Sequence, residues 1–341
     1  MLTFADPWLR LLYPRSDPPP AESKGPTFYD DPDTSYTTDN PITDWDEKRG
    51  AWFKQHPQFS QSENRIFVIT GSQSSPCSNP SGDHFLLRFF KNKVDYCRIN
   101  GYGIFYNNAF LHPKMRSYWA KIPVIRAAMV AHPEAEWLFW VDSDAIFTNM
   151  DFKVPLESIR ITTWWCTVGG HDLQEEELGV AERGVFLIRN CQWSMEFLDT
   201  WGEMGPKSPR FVRWGETLRE TLKDKAFPNS DDQSALVYLL VKGGGVGRFE
   251  EMGRKGEVGR RHAEVEGEGE AADEKERWPF VTHFTGCQPC SGEHNEAYEG
   301  DSCTVGMERA LNFADNQVLR NYGFVHPDLG NVSIVTPLPF Y

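Results

Sequence analysis

Apolar residues in this chain form short β-rich runs that alternate with helical stripes. Residues 66–70 make the first run, which ends in Gly71-Ser72-Gln73, the form of a strand feeding a loop at its carboxyl end. Residues 81–97 place Phe85, Phe89 and Lys93 on one stripe and Leu86, Phe90 and Val94 on the next. With Ser81 or Asp83 to cap it, this spacing predicts a helix. Residues 102–106 read as a second strand, and 117–131 as a helix carrying Trp119, Ile122, Ile125, Ala128 and Met129, with Pro123 tolerated in its first turns. Residues 137–141 are continuously apolar, as a strand buried on both faces requires. Residues 185–188 continue the series as a strand and 193–201 as a helix. The strand, helix, strand, helix, strand order predicts an α/β fold whose central sheet is mostly parallel and covered by helices on both faces.

Outside this series the pattern changes. Residues 1–44 are rich in Pro, Asp, Ser and Thr with little periodicity and read as a stalk or linker, so the folded domain is expected over 45–341. Residues 1–24 are charged and broken by prolines, unlike a signal peptide or a membrane helix, so the chain as written reads as soluble. Residues 243–276 are dominated by Gly, Glu, Arg and Lys and read as a charged loop or short exposed helix. Order returns at 278–284, and 307–322 closes the domain with a stripe of Leu311, Val318 and Leu319.

Composition narrows the function classes. A hydrophobic content of 40% with twelve tryptophans supplies a sizeable core, and a net charge of -14 argues against nucleic acid or an anionic membrane as partner. A neutral polymer, or a small molecule bound together with a cation, fits better. Seven cysteines leave one odd; Cys287-x-x-Cys290 can be read as half a zinc site or a redox pair, but there is no second such motif to complete a zinc site. Asn331-Val332-Ser333 is a glycosylation sequon, a triplet that is frequent by chance.

The candidate chemistry centres on Asp142-Ser143-Asp144, which stands just past the 137–141 strand, where open α/β sheets bind ligands. Two carboxylates spaced by one residue suit a hard divalent cation held against nucleotide phosphates; the competing reading is an exposed turn. His283, ending a strand-like run, is either a packing histidine or a third ligand, and an imidazole would tilt the site toward Mn2+. Asp231-Asp232-Gln233 opens a helix, and its carboxylates either cap it or face a reacting sugar carbon. The Gly71-Ser72-Gln73 loop either contacts a nucleotide or is a simple turn. Lys91, Lys93, Lys114 and Arg116 read as solvated faces, one of which could offset pyrophosphate charge.

Several motifs together resemble glycosyltransferase family 34. They include Gly82-Asp83-His84, residues 89–97, His112-Pro113-Lys114-Met115, Tyr118-Trp119-Ala120-Lys121, Asp142-Ser143-Asp144-Ala145, residues 189–194, Asp231-Asp232-Gln233, Thr282-His283-Phe284 and residues 312–317. The resemblance runs from about Pro41 to the end. It implies a GT-A, Rossmann-like, retaining transferase that uses UDP-galactose or UDP-xylose with Mn2+. The expected product is an α-1,6 branch on a β-1,4-linked glycan acceptor of the cell wall. By the same resemblance Asp142, Asp144 and His283 are the metal ligands, and Gly71, Ser72, Asp142, Ser143 and Gln288 lie near the nucleotide sugar. Asp231, Asp232 and Gln233 would flank the transferred sugar. Residues 285–292 are more like the galactomannan galactosyltransferase branch, because the xyloglucan branch has Lys where Gln288 stands. Family members are Golgi membrane proteins with a lumenal catalytic domain, which makes homo- or hetero-oligomers with other Golgi glycosyltransferases an expected partnership.

The resemblance lapses between Glu157 and Gly184. Residues 162–166 can be encoded by codons that, read one base earlier, spell His-Asn-Leu-Val-Val, a strand of the family type. Residues 178–184, read one base later, contain Leu-Asn-Ala-Gly, which the family carries before its next strand. Residues 159–183 are therefore read as out of frame, with Glu182 where the family has a sugar-facing Asn and with Cys166 as a by-product. The family also carries about twenty further residues near 241–247. These departures support a rival reading, a catalytically impaired relative acting as a partner in a polysaccharide-synthesising complex.

Overall fold

A computed structural model describes residues 25–59, 65–157, 164–169, 181–222, 225, 228–242, 257–258, 279–331 and 334–338. Helix α1 (Trp45–Gln55) leads into strand β1 (Ile66–Gly71), which lies between β2 (Gly103–Asn107) and β3 (Trp137–Val141) and pairs parallel with both. Helices α2 (Gly82–Asn100) and α3 (Lys121–Ala131) form the two connections between these strands. The α2 stripe of Phe85, Phe89 and Lys93 is buried, and the helix stops at Gly101, whose φ of 71° closes its end as a left-handed cap. The helix expected over 117–131 begins as a 3-10 turn at Ser117–Ala120 before α3 takes over.

β3 shows why a wholly apolar run was needed. Trp137, Phe139 and Val141 join a core with Phe89, Tyr96, Phe147 and Met307. Leu138 and Trp140 point the other way, into a core with Ile122, Ile125, Ile188 and Trp201. Successive side chains alternate across a strand, so a sheet covered on both faces needs apolar residues at both parities.

Beyond β3 the sheet departs from the expected pattern. β4 (Ala145–Phe147) leaves the main sheet to pair with β8 (Val281–His283). β5 (Trp164–Gly169) and β6 (Ala181–Arg189) complete the sheet with the two-residue β7 (Glu257–Val258), in the order β2-β1-β3-β6-β5-β7. The strand read at 185–188 as a continuation of the parallel series is β6, and it runs antiparallel to both β3 and β5. Eleven residues separate β5 from β6, whereas a parallel return needs a dozen or more, usually with a helix. The result is a mixed α/β sheet in which three of the five pairings are parallel.

Helices α4 (Gln192–Gly202), α5 (Phe211–Thr221) and α6 (Asp232–Lys242) follow, then a hairpin of β9 (Cys287–Gln288) and β10 (Glu293–His294). Helix α7 (Ser302–Leu319) packs on α2, and β11 (Phe324–Val325) pairs with β12 (Thr336–Pro337). The sequence pattern did not announce α1 or α5. The cysteines of the Cys287-x-x-Cys290 motif pair neither with each other nor around a metal. Cys290 is bonded to Cys77 and Cys287 to Cys303, while Cys97 and Cys191 are free.

Residues 25–44 are mostly irregular but are not a detached stalk. Phe28 and Ile42 are buried in the core. The fully buried Arg126 donates to the carbonyls of Ser35, Thr37 and Asn40 and lies 3.6 Å from Asp199. The packed body therefore begins ahead of position 45. No helix among the described residues is long and apolar enough to cross a membrane. The charged stretch 243–276 lies outside the described residues apart from β7, as do Val332 and Ser333 of the sequon and most of 159–183.

Candidate active site

The Asp142-Ser143-Asp144 turn is held from three directions. From the neighbouring strand, the Gly184 carbonyl accepts the Asp142 amide at 2.7 Å. From below, Lys93 Nζ donates to the carbonyls of Ser143 at 3.1 Å and Ala145 at 2.7 Å. From the side, Trp140 Nε1 donates to Asp142 Oδ1. Lys93 is thus no solvated face residue. It is 1% exposed, and burial pushes its pKa down to about 7 against the pull of Asp144 and Asp142.

The β4–β8 pairing sets Ala145 opposite His283 and so brings the imidazole beside both carboxylates. Nε2 is 3.1 Å from Asp144 Oδ1 and 3.9 Å from Asp142 Oδ2, and Nδ1 faces the Thr285 hydroxyl at 3.4 Å. One ligand atom from each of the three residues falls within 4.8 Å of the others. Ligands about 2.1 Å from one ion stand roughly 3–4 Å apart, so the spacing and the two-carboxylate, one-imidazole donor set fit a divalent cation. Burial would raise the Asp144 carboxyl, but His283 and then Lys93 hold it below its ordinary value of 3.8.

The turn forms one wall of a cleft of about 500 Å³ at the carboxyl ends of β1, β2 and β3. Gly71, Ser72, Asn107, Arg116, Tyr118, Lys121 and Trp140 line it together with Asp142, Ser143 and Asp144. Gly71 is required by close approach, since a β-carbon there would stand 2.3 Å from the Asn107 carbonyl oxygen. Ser72 and Tyr106 share a hydroxyl–hydroxyl hydrogen bond beside it.

Lys121, named in the sequence only as the last residue of a family motif and given no site role, links the cleft to the second acidic motif. Its ammonium is buried, 2.7 Å from Asp232 Oδ2 and 3.4 Å from Asp142 Oδ1. Burial alone would lower its pKa, but the two carboxylates overcome that and hold it above the ordinary value, so it stays charged. Asp231 behaves as a cap, accepting the Ser234 amide at 2.7 Å and pairing with Lys225 at 2.5 Å. Gln233 is half-buried on α6. Gln288 is exposed on β9, where its side chain accepts from the Ser291 hydroxyl, and it is not among the residues lining the cleft. The structure therefore joins Gly71, Ser72, Asp142, Ser143, Asp144 and His283 directly, and Asp232 through Lys121.

Comparison with known proteins places this geometry. Residues 62–159 and 173–294 match the galactosyl transferase GMA12/MNN10 family. Glycosyltransferase 6 of Arabidopsis thaliana is 53% identical over 92% of this chain and 83% of its own length. Galactomannan galactosyltransferase 1 of Cyamopsis tetragonoloba is 52% identical over 92% of this chain and 81% of its own. In that second alignment about 314 residues of this chain, 92% of 341, are spread over 355 positions, so about 40 positions of the relative have no counterpart here. A solved glycosyltransferase involved in glycosylation of the major capsid of PBCV-1 gives a TM-score of 0.31 at 16% identity over 42% of this chain and 68% of that one, a likeness too slight to argue from. With its family pattern matched over more than half its length and relatives above 50% identity across nine-tenths of it, this chain belongs to the galactosyl transferase GMA12/MNN10 family, glycosyltransferase family 34, and is a glycosyltransferase.

Proposed function

We propose that the chain has a GT-A type nucleotide-sugar fold. In this reading it moves galactose, or in second place xylose, from a UDP-sugar to the 6-hydroxyl of a β-1,4-linked polysaccharide, with retention, to give an α-1,6 branch. The observation that carries it is the Asp142, Asp144 and His283 cluster at the mouth of the cleft, tied by Lys121 to Asp232. Mn2+ held there would neutralise the diphosphate of the leaving UDP. Gly71 and Ser72 border the space for the nucleoside, and Ser143 lies between the two ligand carboxylates. Lys121 holds Asp142 and Asp232 side by side and opposes the burial that raises the Asp232 carboxyl, so Asp232 can present negative charge toward an oxocarbenium-like sugar carbon. Asp231 caps the start of α6, which carries Asp232 and Gln233. The similarity to the guar enzyme, named for galactomannan, supports galactose and a mannan-type acceptor. Two disulfides fit an oxidising lumen such as that of the Golgi, where other glycosyltransferases would be available as oligomeric partners.

Incubating the purified chain with Mn2+, UDP-galactose or UDP-xylose and manno- or cello-oligosaccharides tests this. The expected result is UDP release with a manno-oligosaccharide and an α-1,6 linkage in the product. No UDP release with any pair would overturn it. A second reading, an impaired relative serving as a partner in a synthesising complex, is favoured by the positions missing against the guar enzyme and by the break in the family match at 160–172.

A further inference from the structure

Gly184 lies on β6 against the back of the Asp142–His283 pair, and we infer that it is a positioning residue whose missing side chain lets the cation site close. The inference rests on the cation reading of that cluster. A β-carbon built on Gly184 would stand 2.4 Å from His283 Cε1, 2.6 Å from Asp142 Oδ2 and 2.9 Å from His283 Nδ1. Non-bonded carbon atoms prefer roughly 3.5–4.0 Å, so a methyl group would have to displace one ligand or both.

Neither ligand has an easy retreat. Asp142 is fixed through Oδ1 by the Trp140 indole and Lys121, and its amide is bonded to the Gly184 carbonyl itself. His283 is 7% exposed and locked by the β4–β8 register. Asp142 Oδ2 and His283 Nε2 are 3.9 Å apart, and a methyl intruding against the carboxylate and the Cε1–Nδ1 edge of the ring would spread or rotate them. Backbone freedom is not the reason for this glycine, because its φ lies outside the left-handed region. Within a strand alanine would otherwise be the better residue. The requirement is one of space: Gly184 is the floor on which a carboxylate and an imidazole rest.

The test is titration of the full chain with Mn2+ followed by electron paramagnetic resonance, alongside thermal unfolding. Gly184→Ala is expected to weaken Mn2+ binding about 10- to 100-fold, the scale of a lost supporting contact at a metal ligand. Gly103→Ala is the control for crowding. Its β-carbon would meet the Phe67 ring at 2.5 Å, at the end of β2 remote from the cleft, so it should lower the melting temperature and leave Mn2+ affinity unchanged. Should Gly184→Ala unfold too readily to titrate, the same substitution in a His283→Ala background decides. Removing the ring makes room, so the thermal penalty of the added methyl should shrink. Unaltered Mn2+ affinity in folded Gly184→Ala, or an equal thermal penalty with and without the His283 ring, would overturn the inference alone. No Mn2+ binding by the unaltered chain would overturn the cation reading and this inference with it.

Discussion

Lys121 concentrates the electrostatics of the site in one side chain. An ammonium that is 3% exposed lies within ion-pair distance of two carboxylates, one on the metal turn and one at the head of α6. Removing it would leave Asp142 and Asp232 facing each other at low dielectric. Breaking a buried pair by deleting one partner costs about 3–5 kcal/mol, so Lys121→Met should lower the unfolding free energy by an amount of that order and shift the urea midpoint down with it. An unchanged midpoint would mean that the two carboxylates do not depend on it. The pH dependence follows from the upward shift. Because the folded state holds the Lys121 proton more tightly than the unfolded chain, its contribution is present in full below the ordinary value of 10.5 and is lost as pH rises through the folded value. The stability gap between wild type and Lys121→Met should therefore stay constant from neutral pH to about 10 and narrow above that. Asp142, Asp144 and His283 were legible in the sequence because they stand beside strand-like runs, 137–141 for the two carboxylates and 278–284 for the histidine. Lys93 left a trace, a lysine in the same stripe as Phe85 and Phe89, but a single cation in a stripe reads equally well as a helix edge. Gly184 left none, since its role is set by two side chains brought to it only by the sheet.

At the level of elements, strands and helices with long apolar runs were readable and their direction was not. β3 and α2 follow their patterns closely, whereas β6 looks in sequence like any buried strand and only its pairing with β3 reveals that it runs the other way. That reversal has a functional effect, because it is what sets the Gly184 carbonyl opposite the Asp142 amide. The β9–β10 hairpin is likewise defined by what it is tied to. Cys77–Cys290 joins its turn to the loop after β1, and Cys287–Cys303 joins its first residue to the start of α7, so one short hairpin is anchored at two points. Peptide mapping without reductant should recover these two bridges, and alkylation of the denatured chain should mark the cysteines outside them, Cys97 and Cys191 included. The replacement Cys77→Ser/Cys290→Ser should destabilise by about 2–4 kcal/mol, the usual scale for a bridge closing a long loop. Recovery of a Cys287–Cys290 peptide would contradict this connectivity.

On the scale of the whole molecule, the two cores need cover at their margins, and the segment ahead of α1 supplies part of it. Its composition suggested a linker, and the backbone of residues 25–44 is mostly irregular. Irregular backbone can still be held by a few strong contacts, however, and here they are Phe28 and Ile42 in the core and three carbonyls gathered by the Arg126 guanidinium. Sequence patterning missed this because the anchoring groups on the segment are backbone carbonyls, which every residue has. A chain beginning at Trp45 would lose both apolar side chains, at about 1.5–3 kcal/mol each. It would also leave the buried Arg126 with Asp199 alone, at 3.6 Å. Compared with a chain beginning at Gly25, it should therefore unfold at a temperature lower by several degrees, with a domain of this size losing roughly 2–4 °C per kcal/mol. Substituting Arg126→Met in both separates the two contributions. In the longer chain it should cost stability, since three carbonyls lose their donor. In the shorter chain, where those carbonyls are absent, replacing a poorly paired buried cation by an apolar side chain should cost less or even stabilise. Equal effects of Arg126→Met in the two chains would show that the segment is not held by this side chain.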